Sequence, residues 1–130
     1  MGEWIAALVA LAVPFTGRCD ALTALDALRA LAWTSGDERL LVRAYAPGTA
    51  GADVERLRSW RERGIAVEGA RTVRASCRVG ATGVEVVERL GPTVAVFEDG
   101  TRHPLPTDAW DRRIVELAHR DGWWQIVRVR

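Results

Sequence analysis

The sequence predicts an α+β domain in which three helices come first and an antiparallel sheet follows. Three observations carry that expectation. Apolar residues recur at helical spacing from Asp20 to about Glu62, and from Ile65 the period shortens to two. The later segments are joined by short turns, Asp99-Gly100 and Asp121-Gly122, which suit hairpins rather than crossover helices. Helices and strands are segregated along the chain instead of alternating, as in α+β folds and unlike parallel α/β ones.

At 130 residues the chain makes one domain, able to bury roughly two thirds of what it exposes unfolded. All 18 basic residues are arginine, a coding bias of the kind found in GC-rich bacterial genomes. They are interleaved with 17 acids for a net charge of +1, which describes a solvated surface and argues against a nucleic-acid partner. Cys19 and Cys77 are too few for a disulfide scaffold and lack metal-ligand spacing. Two buried thiols are the simpler reading; a bridge from the first helix to the sheet requires export to an oxidising compartment.

Residues 1–18 hold the apolar run Trp4–Phe15, shorter than the about 20 residues of a membrane span. It has the length of a signal-peptide core, and Ala10-Leu11-Ala12 has the form of a cleavage site, but only Glu3 is charged before it. Arg18 also breaks a lipoprotein box. A targeting or anchor remnant, a helix packed on the domain, and a start lying upstream all remain open. The first would make the domain exported or tethered, touching membrane through residues 1–18 alone; otherwise it is cytoplasmic. A single domain occupies residues 19–130.

Asp20–Trp33 is a helix polar only at Asp20, Thr23, Asp26 and Arg29, so most of its circumference wants burial, with Asp20 as cap. Ser35 and Glu38 have capping-box spacing for a second helix, whose inward face is Leu40, Leu41, Ala44 and Tyr45 before Pro47-Gly48 stops it. Val54, Leu57 and Trp60 line one side of a third helix, opened by Asp53 as a cap and closed at Gly64.

Strands then begin at Ile65, with Gly69 marking a bulge or bend. Alternation over Thr72–Val79 puts Val73, Ala75, Cys77 and Val79 on the buried face. Val84–Leu90 carries Glu88 on the face of Val84, Val86 and Leu90. An acid there is paired in the interior with an arginine of a neighbouring strand, such as Arg74 or Arg112, is exposed on an edge, or serves as a base in a dry pocket. Thr93–Phe97, Arg102–Leu105, Trp110–His119 and Trp123–Val129 complete the sheet. The last is expected to be central or near-central, with only one of Trp123 and Trp124 facing the helices. His103 and His119 read as surface residues, and no nucleophile elbow, P-loop, dinucleotide fingerprint or metal-ligand cluster appears.

The first helix, the W-x-x-G-D-x-x-x-L-x-x-x-Y run from Trp33 to Tyr45, and the closing RDGWWQIVRV together resemble the nuclear transport factor 2-like superfamily, also called cystatin-like or SnoaL-like. The string YAPGTAGADVERLRSWRERGIAVEG looks like a narrower group of uncharacterised actinobacterial domains. Over residues 20–130 the resemblance implies a cone-shaped roll, three N-terminal helices packed on a strongly curved antiparallel sheet around a pocket. Tyr45, Trp60, Glu88 and Trp110 are the candidate pocket-lining residues. The superfamily mixes isomerases, cyclases and dehydratases, which use an acid or histidine in the cone, with binding and assembly domains. Lacking any catalytic motif, this chain reads as a non-catalytic, pocket-bearing domain for a small apolar ligand or protein partner, without cofactor or metal. The alternatives are an isomerase, cyclase or dehydratase using an acid in the cone, and a homodimerisation module.

Overall fold

The computed structural model describes residues 17–130, so most of the apolar amino-terminal segment lies outside the described residues. Among the described residues three helices, α1 (Arg18–Ser35), α2 (Glu38–Ala44) and α3 (Gly51–Glu62), precede seven strands. The strands are β1 (Ala66–Glu68), β2 (Thr72–Val79), β3 (Val84–Leu90), β4 (Val94–Val96), β5 (Arg102–Pro104), β6 (Asp111–Arg120) and β7 (Trp123–Val129). The molecule is therefore α+β, with helices first and every strand pair antiparallel.

One expected sheet is in fact two. The short strands form an open three-stranded sheet in the order β1-β4-β5, and the long ones an open four-stranded sheet in the order β2-β3-β6-β7. Gly69 is where the chain leaves one for the other. Its φ of 75° and the carbonyl of Pro92, 2.6 Å from where a Cβ would stand, leave room for glycine alone. The β6–β7 turn uses Asp121 and Gly122, both at positive φ, as a two-residue hairpin requires.

The helix ends are capped differently from the expectation. α1 runs on to Ser35 and stops at Gly36, so Ser35 belongs to its last turn: the hydroxyl donates to the Leu31 carbonyl at 2.7 Å and accepts from the Asp37 amide at 3.3 Å, and no capping box forms. Asp37 caps α2 instead, its carboxylate accepting from the Arg39 amide at 3.0 Å. Gly17 rather than Asp20 is the N-cap of α1, and Asp20 lies within the first turn.

The core sits between the helices and the four-stranded sheet. Leu22 and Leu25 of α1, Leu41 of α2 and Leu57 of α3 meet Val84, Val86, Val115 and Ile126 from β3, β6 and β7. β7 is an edge strand rather than a central one, but it is not bare. Tyr45 forms a parallel bridge to Ile126, and the Ala46 amide donates to the Ile126 carbonyl at 2.7 Å. Because different helices reach the two sides of this edge, both tryptophans are covered: the Arg43 guanidinium lies 4.9 Å from the Trp123 ring centre and Arg18 lies 5.5 Å from that of Trp124.

β2 departs most from simple alternation. Its register against β3 slips between Arg74 and Ser76, which leaves Ala75 as the extra residue of a bulge. Arg74 opposite Glu88 and Cys77 opposite Val86 therefore share the inner face, although an odd number of positions separates them. Cys77 is bonded to Cys19 of α1, closing a span of 58 residues, so the reading of two free thiols is replaced by the bridge. Val79, expected to be buried, is 54% exposed at the free edge.

Candidate functional site

Helix α1 brings Cys19, Leu22, Asp26, Arg29 and Trp33 onto one stripe at spacings of three and four residues. The stripe faces β2 and β3 and the inner side of α3. Asp26 and Arg29, polar residues on an otherwise apolar surface, are thus placed against Asp53, Arg74 and Glu88. The three acids are nearly buried, at 8–9% exposure.

Each acid is answered by arginine. Arg74 bonds Asp26 and also reaches Glu88 at 2.9 Å. Arg29 spans Asp26 at 3.4 Å and Asp53 at 3.0 Å, and Arg56 holds the other oxygen of Asp53 at 3.1 Å. The Tyr45 hydroxyl donates to Asp53, and its ring lies 5.6 Å from the Arg29 guanidinium. Asp53 is therefore no cap. Ala50 occupies the N-cap of α3, and Asp53, in its first turn, has its carboxylate committed to Arg29, Arg56 and Tyr45.

Burial pushes the Asp26 carboxyl above its ordinary range; the Glu88 charge adds to the rise while Arg74 and Arg29 oppose it. Burial likewise raises the Tyr45 hydroxyl far above its usual value, against the pull of Arg29 and with help from its bond to Asp53. Tyr45 is consequently a hydrogen-bond donor at any physiological pH and not a phenolate base.

Part of this network lines a cleft of about 300 Å³. Asp26, Arg29, Asp53, Arg56, Glu88 and Arg113 line it together with Arg89 and Asp108, and Trp33, Trp60, Val67, Leu90 and Leu105 give it apolar surface. The two tryptophans meet edge to face, with ring centres 6.2 Å apart. A smaller cavity of about 170 Å³ shares the polar residues and reaches Tyr45 and Ile126.

Of the four residues singled out in the sequence, Trp60 and Glu88 line the main cleft and Tyr45 the smaller cavity. Trp110 is not brought to either. It is 45% exposed, with the Arg89 guanidinium 4.4 Å from its ring centre. Asp26, Arg29, Arg74, Arg56 and Arg113 were not among the four. Only Asp26 and Arg29 carry a local signal, as charges three apart on an apolar helix. His103 is exposed and packs edge-on to Phe97, and His119 is exposed beside Trp124.

No family model matches the chain, and no curated protein matches it. Among solved structures it is similar to the intermembrane space region of the chloroplast protein ARC6, with a TM-score of 0.59 at 13% identity over 90% of this chain and 97% of that one. It is also similar to a SEC-C motif containing protein from Rhodopseudomonas palustris, with a TM-score of 0.52 at 15% identity over 99% of this chain and 86% of the other. At these identities the likeness is one of fold.

Proposed function

We propose that the chain is a non-catalytic binding or interaction domain of the nuclear transport factor 2-like kind, its helices and two sheets together forming the cone and its cleft holding a small ligand or partner segment. One observation carries this reading: Asp26, Asp53 and Glu88, the nearly buried acids of the cleft, are each held by arginine. A general base needs an uncommitted proton acceptor within reach of substrate, and an acid locked in a buried ion pair is a poor one. The amphipathic cleft, apolar around Trp33 and Trp60, suits a bound molecule. The Cys19–Cys77 bridge supports placing the domain in an oxidising compartment.

A second reading, a proton-transfer isomerase, cyclase or dehydratase, is favoured by the Tyr45–Asp53 hydrogen bond, since such enzymes pair an acid with a hydroxyl donor. Turnover of enolisable ketones, hydroxy acids and epoxides by the wild type, beside the melting of Glu88→Gln and Asp53→Asn, separates the two. We expect no turnover above background, and a lower melting point for both variants because Arg74 and Arg29 lose charged partners. Turnover that falls by about a hundredfold or more in either variant, with the melting point unchanged, would overturn the binding reading.

A further inference from the structure

We infer that the ligand of the cleft is an amphipathic anion, a carboxylate or phosphate head on a small apolar body, with Arg56 and Arg113 as its clamp. The inference rests on the binding reading above and adds the charge and the contact residues. Arg56 of α3 and Arg113 of β6 line both the main cleft and the smaller cavity, so they stand where the two meet. Each spends one nitrogen on a local acid, Arg56 on Asp53 at 3.1 Å and Arg113 on Asp111 at 3.2 Å. Their side chains are 61% and 42% exposed, leaving the rest of each guanidinium fork open to the cleft or to solvent.

The balance of hydrogen-bonding groups points the same way. Among the described residues, the buried side-chain polar atoms without a partner are Arg29 Nε, Arg74 Nε and Trp124 Nε1. All three are donors, two of them in this network, and no acceptor is left wanting. The buried acids Asp26, Asp53 and Glu88 are already taken by arginine, while Asp108, which also lines the cleft, is exposed and accepts from the Leu90 amide at 2.7 Å; a charged group entering between Arg56 and Arg113 therefore meets spare donors and should itself be an acceptor. A cation drawn in beside Arg56 and Arg113 would have to strip Asp26, Asp53 or Glu88 from an arginine, at the cost of an uncompensated buried charge. Trp33, Trp60, Val67, Leu90 and Leu105 supply apolar surface in the same cleft, alongside the polar Thr72, Arg89, Thr93 and Asp108, and accept the apolar body.

The experiment is an amide-resolved NMR titration of the whole chain with three probes of one length: octanoate, octan-1-ol and octylammonium. Octanoate is expected to shift cleft amides and to bind about tenfold or more tightly than the other two. Arg56→Gln and Arg113→Gln should each weaken octanoate by about tenfold while leaving octan-1-ol within about twofold, and Arg→Lys at each site should retain part of the preference. Thermal melts accompany each variant, and a variant that does not fold passes the test to the other position and to the lysine forms. Equal binding of all three probes in the cleft would overturn the anion while the binding reading stands. Preference for octylammonium would overturn it as well. No cleft shift with any probe would overturn it and count against the binding reading too.

Discussion

Asp26 shows how burial can invert the ordinary sense of an ion pair. A carboxyl raised above its unfolded value adds stability that is fully present below the unfolded value near 3.8 and is lost as pH rises through the folded one. Asp26→Asn carries no such charge, so its melting point relative to the wild type should climb as pH goes from about 4 to 7. Thermal melts across that range check it; a difference that shrinks with pH would mean that Arg74 and Arg29 outweigh desolvation. The exposed acids behave oppositely: hydrogen bonds from Arg39 to Asp37 and from Arg58 to Glu38 lower both carboxyls, so their contribution fades in acid. Little of this was legible in the sequence. Asp26 stood out as a polar residue on an apolar helix, and Glu88 as an acid on an apolar strand face with Arg74 as a possible partner. What joined them was tertiary: a helix stripe laid across a strand pair. Local sequence gives an acid in the first turn of a helix a local use as a cap, whereas only Arg56 among the partners of Asp53 is local; Arg29 comes from α1 and Tyr45 from the residue that ends α2.

At the scale of elements, strand positions followed from period and turns, since Asp99-Gly100 and Asp121-Gly122 fix the hairpins they close. Pairing did not follow. A single extra residue, Ala75, turns Arg74 inward, and nothing in Thr72–Val79 announces it. The split into two sheets was likewise hidden, although Gly69 marked the place. The register makes a test possible. Deleting Ala75 leaves Arg74 opposite Glu88, Ser76 opposite Val87 and Cys77 opposite Val86, now in regular alternation. This variant should keep its Cys19–Cys77 bridge and unfold cooperatively. Deleting Val87 from the partner strand should instead flip one half of β3 and lose both. Non-reducing mass analysis and thermal melts distinguish them; a Ala75 deletion that fails to fold would show the bulge itself to be required.

Across the whole molecule, the bond between Cys19 and Cys77 fastens the helix layer to the free edge of the sheet. Closing 58 residues removes chain entropy from the unfolded state worth about 4 kcal/mol in the loop model, a large part of the roughly 5–15 kcal/mol that holds a domain together. Replacing both cysteines with serine should lower the melting point by on the order of 15 °C. Calorimetry on the double variant checks this, and an unchanged midpoint would show that packing alone positions α1. The sequence favours two buried thiols instead, because two cysteines so far apart have no spacing to read and their meeting depends on the fold.

The same bond also decides how the domain carries tension. Cys19 is two residues from Gly17, the first described residue, so a pull arriving there enters the sheet at Cys77 after crossing a single helical residue and one covalent link. Everything between the two cysteines, which includes most of α1, all of α2 and α3, and the three acids' partners Arg29, Arg56 and Arg74, lies inside a closed covalent loop. That loop withholds about 200 Å of contour from stretching. A load applied between the two ends can peel away β3 to β7 but cannot draw out the chain that forms the helices, which stays inside the closed loop until the sulfur–sulfur link is cut.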